Sequence, residues 1–365
     1  MIWLTWRQFR PQAIVAAGAL VVVAILLAAS RASVGGAYTA SGLSACHANC
    51  STLVATFLLD LNPLDRFLWL GSILLMYLTP VAMGAFWGAP LIAREFEAGT
   101  HRLAWNQSVT RTRWTFVKLG LVGLASCATA GLLSLMWTWW AGPIDSAASF
   151  LHGQGHVNVA GANAAFGLTR LDPVMFAARG VAPVGYAAFA FALGVTAGVL
   201  LRRTLAAMAV TLVIFIAIQV LVPNLVRPHL LPPVQVTTPL TARNLTFAVN
   251  ENLNVGHSTV QVSGPNFAQP GAWLISDVTV TSSGAAVVTP KACQFTLAEL
   301  RNAGPGAELL GCRKVLGTMR LRQIVSYEPA SRFWPLQWIE TGLYLVLAAG
   351  LGLVCGWQVR RRRVP

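Results

Sequence analysis

Six long runs of apolar residues, separated by shorter polar segments, form the dominant pattern of this chain. They cover residues 11–30, 67–93, 119–140, 181–201, 205–222 and 336–357. Five carry no charged side chain, and the sixth carries only Glu340. Because a helix needs roughly 20 apolar residues to cross a bilayer, each run reaches or approaches that length. The pattern predicts an all-α polytopic membrane protein with six transmembrane helices, here called spans 1–6.

Residues 1–10 precede span 1 and mix bulky apolar with polar side chains. Ile2, Trp6 and Phe9 recur at helical spacing, while Arg7 and Arg10 lie elsewhere on the helix. This pattern is typical of a helix in the membrane interface, so we expect an N-terminal elbow helix on the cytoplasmic surface. A cleaved signal peptide ending near residue 30 is the alternative for this region.

The segment 223–335 differs from the rest of the chain because it lacks a long apolar run. It starts with several prolines and continues with short β-type runs separated by glycine and proline. We expect a small β-containing extracellular domain inserted between spans 5 and 6. The predicted organisation is therefore 1–222 for the elbow helix and spans 1–5, 223–335 for the insertion, and 336–365 for span 6 with a basic tail.

Composition and charge support a membrane protein with both termini in the cytoplasm. Only 10% of the residues are charged and 55% are hydrophobic, whereas soluble domains carry about 25% charged residues. Half of the 26 basic residues fall before span 1, between spans 2 and 3, between spans 4 and 5, and after span 6. The positive-inside rule places these segments in the cytoplasm. The net charge of +14 is spread over short clusters, so it does not predict nucleic-acid binding.

Four of the six cysteines fall in the expected outside segments. The simplest disulfide pairing is local, joining Cys46 to Cys50 and Cys293 to Cys312. His47 lies between the first two cysteines, so these three residues could instead offer ligands to a metal ion. No fourth ligand lies nearby, and we expect no metal site.

Sites for chemistry within the chain are scarce. No lysine follows glycine, as a nucleotide-binding P-loop requires, and no protease or hydrolase motif occurs. We therefore expect no enzymatic activity and no bound cofactor. Glu340 lies near the outer end of span 6, where it is expected to be hydrated or paired with Arg332. Tyr77 and Gln219 are weak candidates for a polar substrate pathway.

The segment 94–113 between spans 2 and 3 is the most informative cytoplasmic piece. Gly99 is expected to end the helix of span 2, and Thr110 to cap span 3. A short helix starting at Thr100 and carrying Leu103 and Trp105 would lie between them. Apolar residues flanked by charge suit docking against a partner protein, although a solvated hairpin linker is the alternative.

This segment resembles the membrane subunits of type-2 ATP-binding-cassette (ABC) exporters. The resemblance rests on its charged start, its Gly99-Thr100 turn and its short helix, on the amphipathic segment 3–10, and on residues 332–340, which resemble actinobacterial members. It implies that the segment is a coupling helix seated in a cleft of an ATPase subunit. The residues of this chain that the resemblance assigns to that contact are Arg94, Glu95, Glu97, Gly99, Thr100, Arg102, Leu103 and Trp105.

The resemblance implies the permease subunit of an exporter in the cell membrane. A separate ABC ATPase subunit would bind ATP and magnesium, and the permease would pair with a second permease as a homodimer or heterodimer. The apolar spans favour an amphiphilic or drug-like substrate moved outward, along a pathway lined mainly by spans 2 and 5. The alternatives are a non-transporting membrane sensor or scaffold with a surface domain, and an ion-coupled carrier. Deep intramembrane charges, which such a carrier would use, are not expected here.

Overall fold

A computed structural model describes residues 2–46, 50–99, 110–149, 169–241, 246–252, 257–263, 269, 271–285, 287, 290, 293–296, 312 and 314–361. The chain divides into two compact units. The helical unit comprises Met1–Ala148, Asn158–Leu231 and Ser331–Pro365, and the β unit comprises Ser149–Val157 and Pro232–Ala330.

Among the residues that the structure describes, six helices are long and apolar enough to cross a membrane, which confirms the predicted spans. They run Thr5–Ala40, Pro63–Glu97, Arg113–Trp140, Ala182–Leu201, Thr204–His229 and Ala330–Arg361. The α-helical segments are Ile2–Ala40, Ser51–Asp60, Pro63–Ala82, Ala89–Glu97, Arg111–Trp140, Gly142–Ser149, Pro173–Ala177, Ala182–Leu201, Thr204–Leu221 and Phe333–Arg361. Short 3₁₀ turns cover Leu43–Ala45, Arg227–His229 and Ala330–Arg332.

Successive spans alternate in direction, so the helical unit has two distinct ends. At one end, called the loop end, Phe9, Ile92, Trp114, Val199 and Val359 share one buried cluster. These residues come from the start of spans 1 and 3 and from the end of spans 2, 4 and 6. The opposite end, called the distal end, contains the end of span 3 and the start of span 4. Span 4 is the centre of the unit, because most of its side chains are buried.

Span 1 continues the N-terminal segment as a single helix, Ile2–Ala40. The predicted separate elbow helix is therefore not confirmed, although Pro11 lies inside this helix. A proline removes one backbone hydrogen bond without necessarily ending a helix. The first turns nevertheless carry exposed Trp3 and Trp6, and Phe9 packs edge-on against Trp87 at 4.8 Å between ring centroids.

Spans 2 and 4 touch backbone to backbone through four glycines. A Cβ atom placed on Gly194 would lie 2.1 Å from the Gly84 carbonyl oxygen, and one on Gly88 would lie 2.6 Å from the Phe191 carbonyl oxygen. Gly198 faces Ala89 in the same way. Small residues spaced by four allow such close helix crossings in membranes. These two glycine pairs thus pack against each other within the chain.

Two π-helical turns interrupt the spans in the described part of the chain. Span 2 contains Met83–Gly88, just before Pro90, and span 5 contains Val222–Val226, which includes Pro223. A proline cannot donate to the helical ladder, and such local adjustments accommodate the missing bond. Asn224 donates its side-chain amide to the Val220 carbonyl at 2.7 Å. The second turn has a structural consequence, because it leads directly to Arg227.

The described residues of the β unit form two antiparallel three-stranded sheets. The strands are β1 Val234–Pro239, β2 Thr246–Asn252, β3 His257–Ser263, β4 Trp273–Val280, β5 Gln294–Thr296 and β6 Arg322–Glu328. One sheet has the order β1-β6-β4 and the other β2-β3-β5. In the first, Val325 pairs with Val236 and Asp277. The larger segment of this unit is Pro232–Ala330, so residues 223–231, assigned to the insertion from the sequence, lie in the helical unit.

Both predicted disulfides are present. Cys46 bonds to Cys50 and Cys293 to Cys312, with Cα atoms 6.1 and 4.8 Å apart. The second bridge lies with Leu240, Leu316 and Leu321 in the buried core of the β unit. The first bridge occupies both thiols that the metal-site alternative required.

Candidate functional site

The predicted coupling segment emerges from a well-defined helix end at the loop end. The helix Ala89–Glu97 stops at Ala98, and Gly99 follows with a φ of 68°, in the left-handed region that glycine adopts without strain. The helix of span 3 begins after Thr110, whose side chain accepts a hydrogen bond from the Arg113 backbone amide at 3.3 Å. Both predicted boundaries are confirmed. The predicted contact residues Thr100, Arg102, Leu103 and Trp105 lie outside the described residues.

Glu97 joins the end of span 2 to the start of span 5. Its two carboxylate oxygens accept hydrogen bonds from the backbone amide and the side-chain hydroxyl of Thr204, at 2.8 and 2.7 Å. Thr204 is the first residue of its helix, and the preceding Arg203 provides no side-chain cap. A carboxylate at a helix N-terminus satisfies an otherwise unpaired amide and interacts favourably with the helix dipole. Glu97 therefore acts as the N-terminal cap of span 5 from another helix.

Glu95 joins the same end of span 2 to span 3. Its carboxylate forms an ion pair with the Lys118 ammonium group, which is 2% exposed and lies 4.7 Å from the centre of the Trp114 ring. A buried ammonium group is tolerated when it is paired and packed against an aromatic face. The two acidic residues predicted to face a partner protein thus bind spans 3 and 5 of their own chain. Arg94, in contrast, is exposed.

A cavity of about 210 Å³ lies beside this helix end, between the first turns of span 1 and the end of span 2. Its walls combine amide, hydroxyl and charged groups with aromatic rings. They are formed by Thr5, Gln8, Phe9, Gln12, Trp87, Pro90, Leu91, Arg94 and Glu95. The N-terminal helix is therefore part of the same structural region as the coupling segment.

The distal end contains a buried ion pair that the sequence analysis did not predict. The Arg227 guanidinium donates from Nε to one Glu340 oxygen at 2.8 Å and from a terminal nitrogen to the other at 3.0 Å. The Tyr186 hydroxyl donates to Glu340 at 2.5 Å. Arg227 and Glu340 are both 0% exposed. The expected pairing of Glu340 with Arg332 was wrong, since the carboxylate points into the helical unit, towards a residue that the sequence analysis had assigned to the insertion.

The short helix Pro173–Ala177, called the Pro173 helix, is held by polar groups from three spans. The Tyr77 hydroxyl of span 2 donates to the Val174 carbonyl at 3.2 Å, and Arg227 donates to the Pro173 carbonyl at 3.3 Å. Gln337 of span 6 donates to the Phe176 carbonyl at 3.0 Å. The Arg227 guanidinium also lies 4.1 Å from the centre of the Phe176 ring. Together these contacts fix the Pro173 helix at the distal end.

A second buried ion pair lies at the distal end, after span 3. Asp145 pairs with Arg179, and Arg170 donates to the same carboxylate at 3.1 Å. The Arg179 guanidinium lies between the Trp69 and Trp137 rings, 5.1 and 5.3 Å from their centres. Burial raises the pKa of the Asp145 carboxyl, and the two guanidinium groups oppose that rise. These charges connect the segment after span 3 to the segment before span 4, and pack against aromatic rings of spans 2 and 3.

The two weak pathway candidates have different surroundings. The Tyr77 hydroxyl binds the Val174 carbonyl, so Tyr77 helps to position the Pro173 helix at the distal end. Gln219 of span 5 has a buried side-chain oxygen with no hydrogen-bond partner among the described residues. The structure does not bring the two side chains into a hydrogen bond with each other.

Sequence reasoning missed Lys118, Tyr186, Thr204, Arg227 and Gln337. No motif or spacing marks them, because each acts through a partner that is distant in the chain. Arg227 follows an apolar run and a proline in the sequence. Span 5 was therefore predicted to end before it. Only the π-helical turn Val222–Val226 brings it back into the helical unit.

Comparison with known proteins identifies the family. A family model described as "ABC-2 membrane transporter related" matches residues 17–227, from span 1 to Arg227. No curated protein and no solved structure matches the chain. The matched region contains most of span 1, spans 2–4, nearly all of span 5, the coupling segment and the Glu97–Thr204 contact. Because this match covers more than half of the 365 residues, the chain belongs to the ABC-2 membrane transporter related family, and is a multi-pass membrane transport subunit.

Proposed function

We propose that the chain is the permease subunit of an ABC exporter in the cell membrane, with both termini cytoplasmic. A separate ATPase subunit binds ATP and magnesium and docks on segment 94–113. The permease works as a pair with a second permease, and moves an amphiphilic or drug-like substrate outward. The chain itself supplies the pathway and the coupling contacts, and performs no hydrolysis.

The observation that carries this proposal is the anchoring of the coupling segment. The segment leaves span 2 immediately after Glu95 and Glu97, which bind Lys118 of span 3 and Thr204 of span 5. A displacement of the segment by an ATPase would therefore act on three spans at once. Nucleotide binding to the partner would shift the population between two arrangements of these spans.

The proposed pairing with a second permease uses the exposed faces of spans 2 and 5. Span 2 exposes Phe67, Leu74 and Leu78, and span 5 exposes Leu205 and Val213. Lipid covers such faces as readily as protein does, so apolar exposure alone selects neither. The proposed pathway between the two permeases places these faces, with Gln219, around an apolar substrate.

Affinity capture of the intact permease from its native membrane tests the partner. The wild-type chain is expected to retain an ATPase subunit with a P-loop, and Trp105→Asp is expected to release it, because a carboxylate would be placed in the docking surface. Trp3→Asp is the matched control, since it makes the same substitution at an exposed tryptophan of the loop end that lies outside segment 94–113. Failure of the wild type to capture any ATPase, together with normal transport by Trp105→Asp, would contradict the proposal.

A non-transporting sensor or scaffold is the alternative that the β unit favours, because a six-stranded, disulfide-linked unit offers a binding surface. Substrate-stimulated ATPase activity of the reconstituted complex, measured over a panel of amphiphilic compounds, separates the two. A transporter responds to some of the compounds, and a scaffold responds to none. An ion-coupled carrier would instead stop transporting when the proton gradient is collapsed at constant ATP.

A further inference from the structure

Span 5 is bound by a carboxylate at each of its two ends. At the loop end, Glu97 of span 2 holds the Thr204 amide and hydroxyl. At the distal end, Glu340 of span 6 holds the Arg227 guanidinium through two hydrogen bonds. From Thr204 to Arg227 a helix rising 1.5 Å per residue covers about 35 Å, comparable with the thickness of a bilayer core. The two contacts therefore lie at opposite ends of the helical unit.

Between these ends, span 5 is held loosely. Its α-helical part buries only Ala207, Thr211 and Phe215 among its described side chains. Span 4, of similar length, buries most of its residues and forms the centre of the unit. A helix with a small buried face can shift along or around its axis with little loss of packing, whereas span 4 cannot. Span 5 is thus the better suited of the two to move as a unit.

Arg227 links span 5 to the Pro173 helix and to span 6 at the distal end. Arg227 contacts Glu340, the Pro173 carbonyl and the Phe176 ring. The π-helical turn before it aims the guanidinium into the helical unit, towards the Pro173 helix. If span 5 moves, these contacts change together, because a single planar group makes all of them.

We propose that span 5 is a rod that couples the coupling segment to the Pro173 helix, with Glu97 and Arg227 as the positioning residues at its two ends. Arg227 holds the Pro173 helix in place through the Pro173 carbonyl and the Phe176 ring. Release of Thr204 by Glu97 allows span 5 to shift, which withdraws Arg227 and frees the Pro173 helix. The proposal rests on the proposed function in one respect, namely that an ATPase subunit displaces the coupling segment. The coupling within the chain is independent of any ATPase.

Hydrogen exchange in the full-length chain, reconstituted alone in lipid nanodiscs, tests this coupling. The readout is the exchange rate of the backbone amides in residues 169–182, which include the Pro173 helix. Arg227→Gln removes the contact directly and is expected to accelerate this exchange. Glu97→Gln, at the far end of span 5, is expected to accelerate it as well, by at least about fivefold if the two ends are coupled as in typical allosteric systems.

The matched control is Glu95→Gln, which removes a neighbouring carboxylate that binds span 3 rather than span 5. Because it also leaves the buried Lys118 ammonium without its counter-charge, it measures general destabilisation, and it is expected to accelerate exchange in residues 169–182 less than Glu97→Gln does. Glu97→Asp retains a carboxylate and is expected to restore slow exchange at least in part. Equal acceleration by Glu95→Gln and Glu97→Gln would indicate general destabilisation and overturn the proposal.

Two further outcomes would also overturn it. If Arg227→Gln accelerates exchange but Glu97→Gln does not, the two ends of span 5 are uncoupled. If Arg227→Gln has no effect, Arg227 does not hold the Pro173 helix. Because no ATPase is present, these results are distinguishable from failure of the proposed exporter function, which the affinity-capture experiment measures.

Discussion

At the scale of single residues, the buried charges of the distal end depend on partners contributed by other spans. Arg227 and Glu340 lie 113 residues apart in the chain, and Tyr186 completes the site from a third span. A buried ion pair stabilises little by itself, because desolvation offsets most of the attraction. Removal of one partner is different, since it leaves an uncompensated charge inside the protein.

Glu340→Gln is therefore expected to destabilise the chain by about 3–5 kcal/mol, since it leaves the Arg227 guanidinium without a counter-charge. Thermal unfolding of the purified protein in detergent measures this as a lower midpoint. The double variant Arg227→Met/Glu340→Leu is expected to be markedly more stable than the single variant. Arg10→Gln, at an exposed arginine, is the control and is expected to change the midpoint little. Equal loss in the single and double variants would argue against an ionised pair.

At the loop end, the sequence predicted where the helices end but not which side chains bind each other. Gly99 and Thr110 were located from the sequence, because helix ends have local chemical signals in turn and cap residues. The partners of Glu95 and Glu97 had no such signal. Lys118 and Thr204 lie on other helices, and only the arrangement of the spans brings them within hydrogen-bond distance.

At the scale of elements, the packing of spans 2 and 4 depends on the absence of side chains. Gly84, Gly88, Gly194 and Gly198 let two backbones meet. The sequence shows their spacing of four residues, but it does not show whether each pair faces another helix of the same chain, a second copy or lipid. The structure places both pairs at one intramolecular crossing.

Gly194→Ala is expected to force spans 2 and 4 apart, because the added methyl group would overlap the Gly84 carbonyl oxygen. Overpacking of this kind costs about 1–3 kcal/mol or more. Gly120→Ala in span 3 is the matched control, since nothing lies within 4 Å of the added atom. Thermal midpoints and monodisperse yield of the two variants give the measurement. A Gly194→Ala variant as stable as the control would show that the crossing is looser than described.

At the scale of the whole molecule, the distribution of basic residues predicts which side of the membrane each unit faces. Half of the arginines and lysines lie in the segments at the loop end. The positive-inside rule therefore favours a cytoplasmic position for that end. The β unit follows span 5 and precedes span 6, so it would lie outside. Its two paired cysteines are consistent with an oxidising compartment.

Cysteine labelling in intact cells tests this orientation. In a background with Cys127 and Cys355 replaced by alanine, Ser282→Cys in the β unit is expected to react with a membrane-impermeant maleimide. Arg203→Cys at the loop end is expected to react only after the membrane is permeabilised. Both positions are exposed in the described structure, so access to the reagent depends on the side of the membrane. The opposite pattern would reverse the proposed topology.

The sequence by itself determined the membrane class, the six spans, the disulfide pairs and the ends of the coupling segment. These features depend on hydrophobic length, on spacing along the chain or on local cap chemistry, each readable within about 20 residues. Only the tertiary structure decided that Glu97 caps span 5, that Arg227 returns to bind Glu340, and that the glycine pairs meet each other. Those contacts join residues about 100 or more positions apart, and nothing in the local sequence specifies a partner at that distance.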